Sequence, residues 1–435
     1  MKAAEASFLG FCGGVLISLQ KDKMRDQIRC RRLSAGPARE VGGVGAAVAS
    51  SDQVSIKNLK RLAGAGLVLA TVGVMSAQPA FAGKTVEPFI PVQTSTIPTN
   101  GDVNPYGVAF VPQGFPKGGK TASGDVLVSN FNAGPAPGVQ GTGTTIVSVT
   151  PTGAQTTFFQ GTPPLGLTTA LNVLKKGFVI VGNVPASSMG TPEQGSLIVL
   201  DKNGNQLNGS PLVDSTFLNG PWDSTVIDNS EGGNSQGGGF QGGNSQGGNS
   251  AIVFVSCVNN GTVTRLELTF SGGAVAIKSK VTIATGYTHE NSSTAFVLGP
   301  TGLAYDGKSG TLYVASTDDN AIYAVPNAAK TNSAVVKGTL VSNDSTYLHG
   351  PLGLVLAPNG NLVSSQGDAV NPDPNHQSEI VEFTKNGTLV TQFAVDSTAG
   401  AAFGIALNSP RGGEADFAAV NDTLNTVIVY DLTAK

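Results

Sequence analysis

Gly299-Pro300-Thr301-Gly302-Leu303-Ala304-Tyr305-Asp306 opens a unit that continues through Gly310-Thr311-Leu312-Tyr313-Val314-Ala315-Ser316 to Asn320-Ala321-Ile322. Its first five residues recur in variant form along the chain. The other copies are Asn104-Pro105-Tyr106-Gly107-Val108, Pro163-Pro164-Leu165-Gly166-Leu167, Gly220-Pro221-Trp222-Asp223-Ser224, Gly350-Pro351-Leu352-Gly353-Leu354 and Ala401-Ala402-Phe403-Gly404-Ile405. The second residues of successive copies are 59, 57, 79, 51 and 51 positions apart, a period that points to a propeller or solenoid.

After each copy come two β-branched or aromatic runs, such as Val126 to Phe131 with Thr145 to Val149, and Leu362 to Ser365 with Glu379 to Phe383. Tight turns follow several of them, and the Asn-Gly pairs at Asn203-Gly204 and Asn386-Gly387 supply the positive φ that hairpins need. Each unit therefore reads as a four-stranded antiparallel meander, the blade of a propeller. The sixth unit ends after three strands, and an unassigned strand-like segment, Thr85 to Val92, lies ahead of the first. That segment is expected to pair with Thr426 to Tyr430 and close an all-β, six-bladed ring without a long free edge.

The quoted unit resembles an NHL repeat, and Lys84 to Lys435 as a whole resembles the NHL-type and regucalcin/gluconolactonase-like six-bladed propellers. The resemblance implies a fold shared by lactonases, streptogramin lyases and noncatalytic interaction domains, so function has to come from the site. Where the lactonases carry a Glu-Gly-Pro motif for a divalent metal, this chain reads Asn219-Gly220-Pro221 and His349-Gly350-Pro351.

Composition agrees with the repeat. The 435 residues include 58 glycines, 13% charged and 6% aromatic side chains, which favours short strands and turns over helices or charged disorder. Lys57, Lys60 and Arg61 precede the apolar run Leu62 to Met75 and the small-x-small triplet Ala80-Phe81-Ala82. Residues 54–82 thus read as a secretory signal, too short in its apolar part for a membrane span. Residues 1–53 read as an unstructured extension or as translation assigned too early, with the true start near Val54.

Cleavage after Ala82 removes 11 of the 26 basic and 5 of the 29 acidic residues. The mature charge becomes −9, with Arg265 and Arg411 the remaining arginines, which argues against a nucleic-acid surface. Cleavage also removes Cys12 and Cys30, and Cys257 inside an apolar strand reads as a small buried hydrophobe. A periplasmic or extracellular location is expected, with no membrane anchor after cleavage.

In a propeller the connections between blades, and those from second to third strand, share one face, here the top. Three of the latter are long: Asn132 to Gly143, Pro185 to Gln194 and Gly367 to Gln377. All three histidines, His289, His349 and His376, map to this face together with Glu290, Asp368 and Asp373. Imidazoles and carboxylates there suit a polar ligand or a divalent metal ion. Asp223 stands where other repeats carry glycine, and Tyr106, Trp222 and Phe403 are expected to flank it at the channel mouth. The leading expectation is a module that binds a small-molecule or protein ligand on its top face. A metal-dependent lactonase or lyase at the channel mouth, and a structural surface protein, are the alternatives. The Gly/Asn/Ser/Gln-rich stretch 231–250 falls between two strands of the third unit and is expected to be a flexible loop.

Overall fold

The computed structural model describes residues 8–12, 15–19, 91–135, 138–230, 248–408 and 415–431. Phe8–Cys12 and Val15–Leu19 pair as a short antiparallel hairpin in a unit of their own. The remainder of the extension, the expected signal and most of the 231–250 stretch lie outside the described residues.

The second unit is a six-bladed β-propeller. Blade 1 runs from inside to outside as Val103–Phe110, Val126–Asn132, Thr145–Val149 and Gln155–Gln160. Blade 2 has Leu167–Leu174, Phe178–Asn183 and Ser196–Leu200, its outer edge finished by bridges from Leu200 to Gln206 and from Leu197 to Leu212. Blade 3 has Pro221–Asn229, Ser250–Cys257, Thr262–Ser271 and Ala274–Thr285, to which Val335–Val336 adds a short parallel edge. Blade 4 comprises Pro300–Asp306, Thr311–Ser316, Ala321–Val325 and Thr339–Ser342. Blade 5 comprises Pro351–Leu356, Leu362–Gln366, Glu379–Phe383 and Leu389–Ala394. Blade 6 takes Ala402–Asn408, Asp416–Asn421 and Thr426–Asp431 from the C-terminal end, and its fourth strand from the other end of the unit.

That fourth strand is Val92–Ser95, which pairs antiparallel with Thr426–Asp431 in the register Val92↔Val429 to Ser95↔Thr426. Closure by a strand preceding blade 1 is therefore as expected; of the expected segment, Thr85 to Val92, residues 85–90 lie outside the described residues, and the described pairing runs from Val92 on to Ser95. The outer strand of a blade needs little apolar surface, and Val92, Gln93 and Ser95 are indeed exposed.

The recurring pentapeptide corresponds to a β-bulge. In every blade the register between first and second strand slips at this place: Pro105/Val108, Leu167/Leu171, Pro221/Ser224, Pro300/Leu303, Pro351/Leu354 and Ala402/Ile405. The proline stands just before the slip on the innermost strand, an edge of its blade's sheet, where a missing N–H is tolerated. Glycine follows because the next blade's backbone comes close. A Cβ on Gly404 would stand 1.9 Å from the Tyr106 carbonyl oxygen, and one on Gly302 would stand 2.5 Å from that of Leu352.

The same slip corrects the alignment of the second repeat. Its bulge lies at Leu167-Thr168-Thr169-Ala170-Leu171, one residue longer than the others, and Thr169, not Gly166, lines the channel where Gly353 and Gly404 do. Pro163-Pro164-Leu165-Gly166 imitates the motif in the approach to the blade.

Strand alternation sends successive side chains to opposite faces of each blade. Leu127 packs towards blade 2 while Val126 and Val128 pack against Ala406, Ala418 and Val420 of blade 6. Six apolar clusters fill the six wedges between neighbouring blades in this way. Cys257 lies in one of them, and burial pushes its thiol up to about 12, as for an inert core cysteine.

Candidate functional site

A seventh apolar cluster occupies the top of the channel. Tyr106 is stacked between Phe131 and Phe403, with ring centroids 4.4 and 4.3 Å away. Trp222 meets Tyr106 and Phe131 edge-on at 5.8 and 5.4 Å, and Phe296 stands over Phe131 at 5.3 Å. Phe296 comes from a hairpin, Glu290–Ser292 with Phe296–Leu298, inserted between blades 3 and 4, and it adopts a left-handed φ of 66°. That conformation is unfavourable for a bulky residue and is held by the surrounding packing. Tyr106 and Trp222 are each only 2% exposed. The three aromatic residues expected at the mouth are thus brought together, but as a plug rather than as the walls of an opening. Phe131 and Phe296 completed the plug unannounced, since nothing in their strands marks them apart from other core phenylalanines.

Asp422, in the turn after the second strand of blade 6, lies beside this plug. Burial pushes its carboxyl up to about 7, and burial first, then Asp422, holds the Tyr106 phenol neutral. A carboxyl whose folded pKa exceeds its unfolded one favours the fold below the unfolded pKa. The contribution is lost as pH rises from about 4 through 7. Asp422→Asn is accordingly expected to stabilise the protein at pH 8 by on the order of 2 kcal/mol and to change little at pH 4. Chemical denaturation at the two pH values checks this, and an equal effect at both would refute it.

Asp223 lies on the inner strand of blade 3. Its Oδ1 accepts the Ser224 N–H at 2.8 Å, and its Oδ2 accepts the Leu303 N–H of blade 4 at 3.0 Å. Where glycine lets neighbouring blades touch through backbone alone, this carboxylate bridges them. Burial pushes its pKa up to about 7 against the opposing effect of the two backbone bonds. Ser129, Ser256 and Ser365 support the bulges of blades 1, 3 and 5, accepting the N–H of Gly107, Asp223 and Gly353 at 2.9, 3.0 and 2.8 Å. Their role is invisible in a chain so rich in serine.

The histidines separate into two groups. His289 has Nδ1 3.1 Å from the Tyr287 carbonyl oxygen and shares its surroundings with Glu290 and Asp318. His349 and His376 meet at another hollow on the top face, of about 330 Å3, formed by the connection into blade 5 and by that blade's long loop. Tyr347, Asn371, Asp373 and Gln392 also line it.

His376 is exposed, with Nδ1 2.8 Å from the Asp373 carboxylate. That bond raises the imidazole pKa and lowers that of Asp373. His349 is 2% exposed and bonds the Asn371 carbonyl oxygen through Nδ1 at 2.6 Å, which leaves Nε2 buried without a partner. Beside it Glu379 is 4% exposed, has no partner for Oε2, and is held above the usual carboxylate range by burial. Asp368 holds the loop by accepting the N–H groups of Ser378 and Gly400 on Oδ2 at 2.7 and 3.0 Å, and its buried Oδ1 has no partner. The long loop and two histidines were legible in the sequence. Glu379 was not, because it lies inside an ordinary third strand.

Asp223 and a histidine do not converge on a common ion: Asp223 lines the channel, whereas His349 and His376 line the separate hollow. Among the described residues no group of three or more His, Cys, Asp or Glu side chains is placed to hold a metal. The donor set expected for a divalent ion at the mouth is replaced there by aromatic rings.

This architecture defines a six-bladed propeller whose solved neighbours are regucalcin-like and gluconolactonase-like. No family model matches the chain, and no curated protein does. A regucalcin from Agrobacterium tumefaciens shares 13% identity over 80% of this chain and 96% of its own, with a TM-score of 0.45. A gluconolactonase from Xanthomonas campestris shares 14% over 79% and 97%, with a TM-score of 0.41. A luciferin-regenerating enzyme shares 11% over 79% and 96%, with a TM-score of 0.42.

Proposed function

We propose that this protein is an exported, noncatalytic binding module of NHL type that takes a small polar ligand on its top face, in the hollow between His349 and His376. The observation that carries this reading is His349 in the wall of that hollow with its buried Nε2 unpartnered, in a loop region where Glu379 Oε2 and Asp368 Oδ1 are buried without partners as well. Buried polar atoms without partners cost about 1–3 kcal/mol each, and a ligand with several hydrogen-bond donors recovers that cost. The rigid blades 4 and 5 hold the two loops, as binding loops on a scaffold require. Export rests on the tract 54–82, and the periplasm or the extracellular space is its destination.

The test is a thermal-shift screen of sugars, polyols, amino acids and nucleosides. His376→Ala, at an exposed position, is expected to leave the melting temperature of the free protein unchanged and to weaken each genuine hit at least about tenfold, equivalent to 1.4 kcal/mol. His349→Phe is expected to abolish binding. Hits insensitive to both substitutions would sink the assignment.

A further inference from the structure

Below the aromatic plug the channel opens into a second cavity of about 320 Å3, walled by the inner strands of all six blades. Val108, Leu171, Leu354 and Ile405, the residues that follow the bulge in four of the blades, give it apolar sides. The polar side chains of blade 2 there are engaged: Thr169 Oγ1 donates to the Trp222 carbonyl oxygen at 2.7 Å, and Asn172 Nδ2 to Ser224 Oγ at 2.6 Å. Among the described residues Asp223 is the one ionisable side chain in this wall.

Its two backbone donors occupy two of the four or so acceptor positions of a carboxylate. Among the described residues no cationic side chain pairs with it. A carboxylate so placed is costly to ionise unless a positive charge compensates it. The other blades avoid the difficulty at the same position with the uncharged Gly107, Thr169, Gly302, Gly353 and Gly404, so the ring itself does not require an acid there.

We propose that the channel below the plug binds a small molecule whose protonated amine meets Asp223 and whose apolar body lies along the inner strands. An ammonium supplies both the charge and the donors the carboxylate lacks. An alcohol supplies a donor alone, and an anion is repelled. The apolar sides and the size suit a compact organic cation, since small-ligand cavities combine such walls with a few fixed polar groups. This site is separate from the His349–His376 hollow and stands or falls independently of it.

The experiment uses the full chain with n-hexylamine, 1-hexanol and hexanoate as probes, read by calorimetry and thermal shift. A ligand that binds only the folded state raises its melting temperature. Hexylamine is expected to do so and to bind at least about tenfold more tightly than hexanol, with hexanoate silent. Asp223→Ala is expected to reduce amine binding to the level of the alcohol, while His376→Ala leaves it intact. Equal binding of amine and alcohol by the wild type, or an amine preference that survives Asp223→Ala, overturns the proposal. Should that variant not fold, wild-type crystals soaked in 6-bromohexylamine decide: bromine anomalous density in the channel supports the site, and its absence there refutes it.

Discussion

Deletion of residues 91–97 is expected to abolish cooperative folding of the propeller, a loss of more than about 5 kcal/mol and comparable with the whole stability of many domains. Val92–Ser95 gives blade 6 its outer strand, and the residues just beyond it tie blade 1 to blade 6. The Thr96 N–H and hydroxyl both donate to the Asn425 carbonyl oxygen, at 2.9 and 3.0 Å, and Asn130 Nδ2 donates to the Thr96 carbonyl oxygen at 2.9 Å. Without the segment, Thr426–Asp431 becomes an unprotected edge, free to pair with another chain. The truncated protein should therefore aggregate, and a synthetic peptide of residues 91–97 added during refolding should restore part of the native yield. A truncated chain with an unchanged melting temperature would refute closure by this strand.

Trp222→Ala is expected to cost about 3–5 kcal/mol, the range for deleting a large buried aromatic. The indole contacts Tyr106, Phe131 and Phe296, which come from blade 1 and from the hairpin before blade 4, so its removal loosens the plug where three parts of the chain meet. Phe296 should then leave its left-handed conformation, since the packing that held it is gone. Equilibrium denaturation measures the first effect, and faster hydrogen exchange at Phe296 and Val297 reports the second. A loss below about 1 kcal/mol would show that Trp222 lines an open mouth after all.

The repeat made the ring legible. Most of the bulges carry proline, glycine or both at fixed offsets, and a strand needs alternating apolar residues, so blades 1, 3, 4, 5 and 6 announce themselves in residues that are neighbours in sequence. Blade 2 does not, because Thr169 stands at the glycine position in a bulge one residue longer, while Gly166 copies the motif a few residues early. The closing strand was legible as a topological need, but its extent to Ser95 was not, since an outer strand is bound by backbone hydrogen bonds that carry no side-chain signature.

Blade number, strand order, the top-face loops and the oddity of Asp223 all followed from the sequence, because each is a property of local pattern or of its repetition. Tertiary structure decided what those residues do. Tyr106, Trp222 and Phe403 became a plug only when Phe131 and Phe296 arrived from a strand end and an inserted hairpin. His349 joined His376 and Glu379, not His289 or Asp223, because the fixed rotation from blade to blade sets which loops share a hollow. That rotation arises from wedges of packed side chains between blades, and no segment of the chain contains both sides of a wedge.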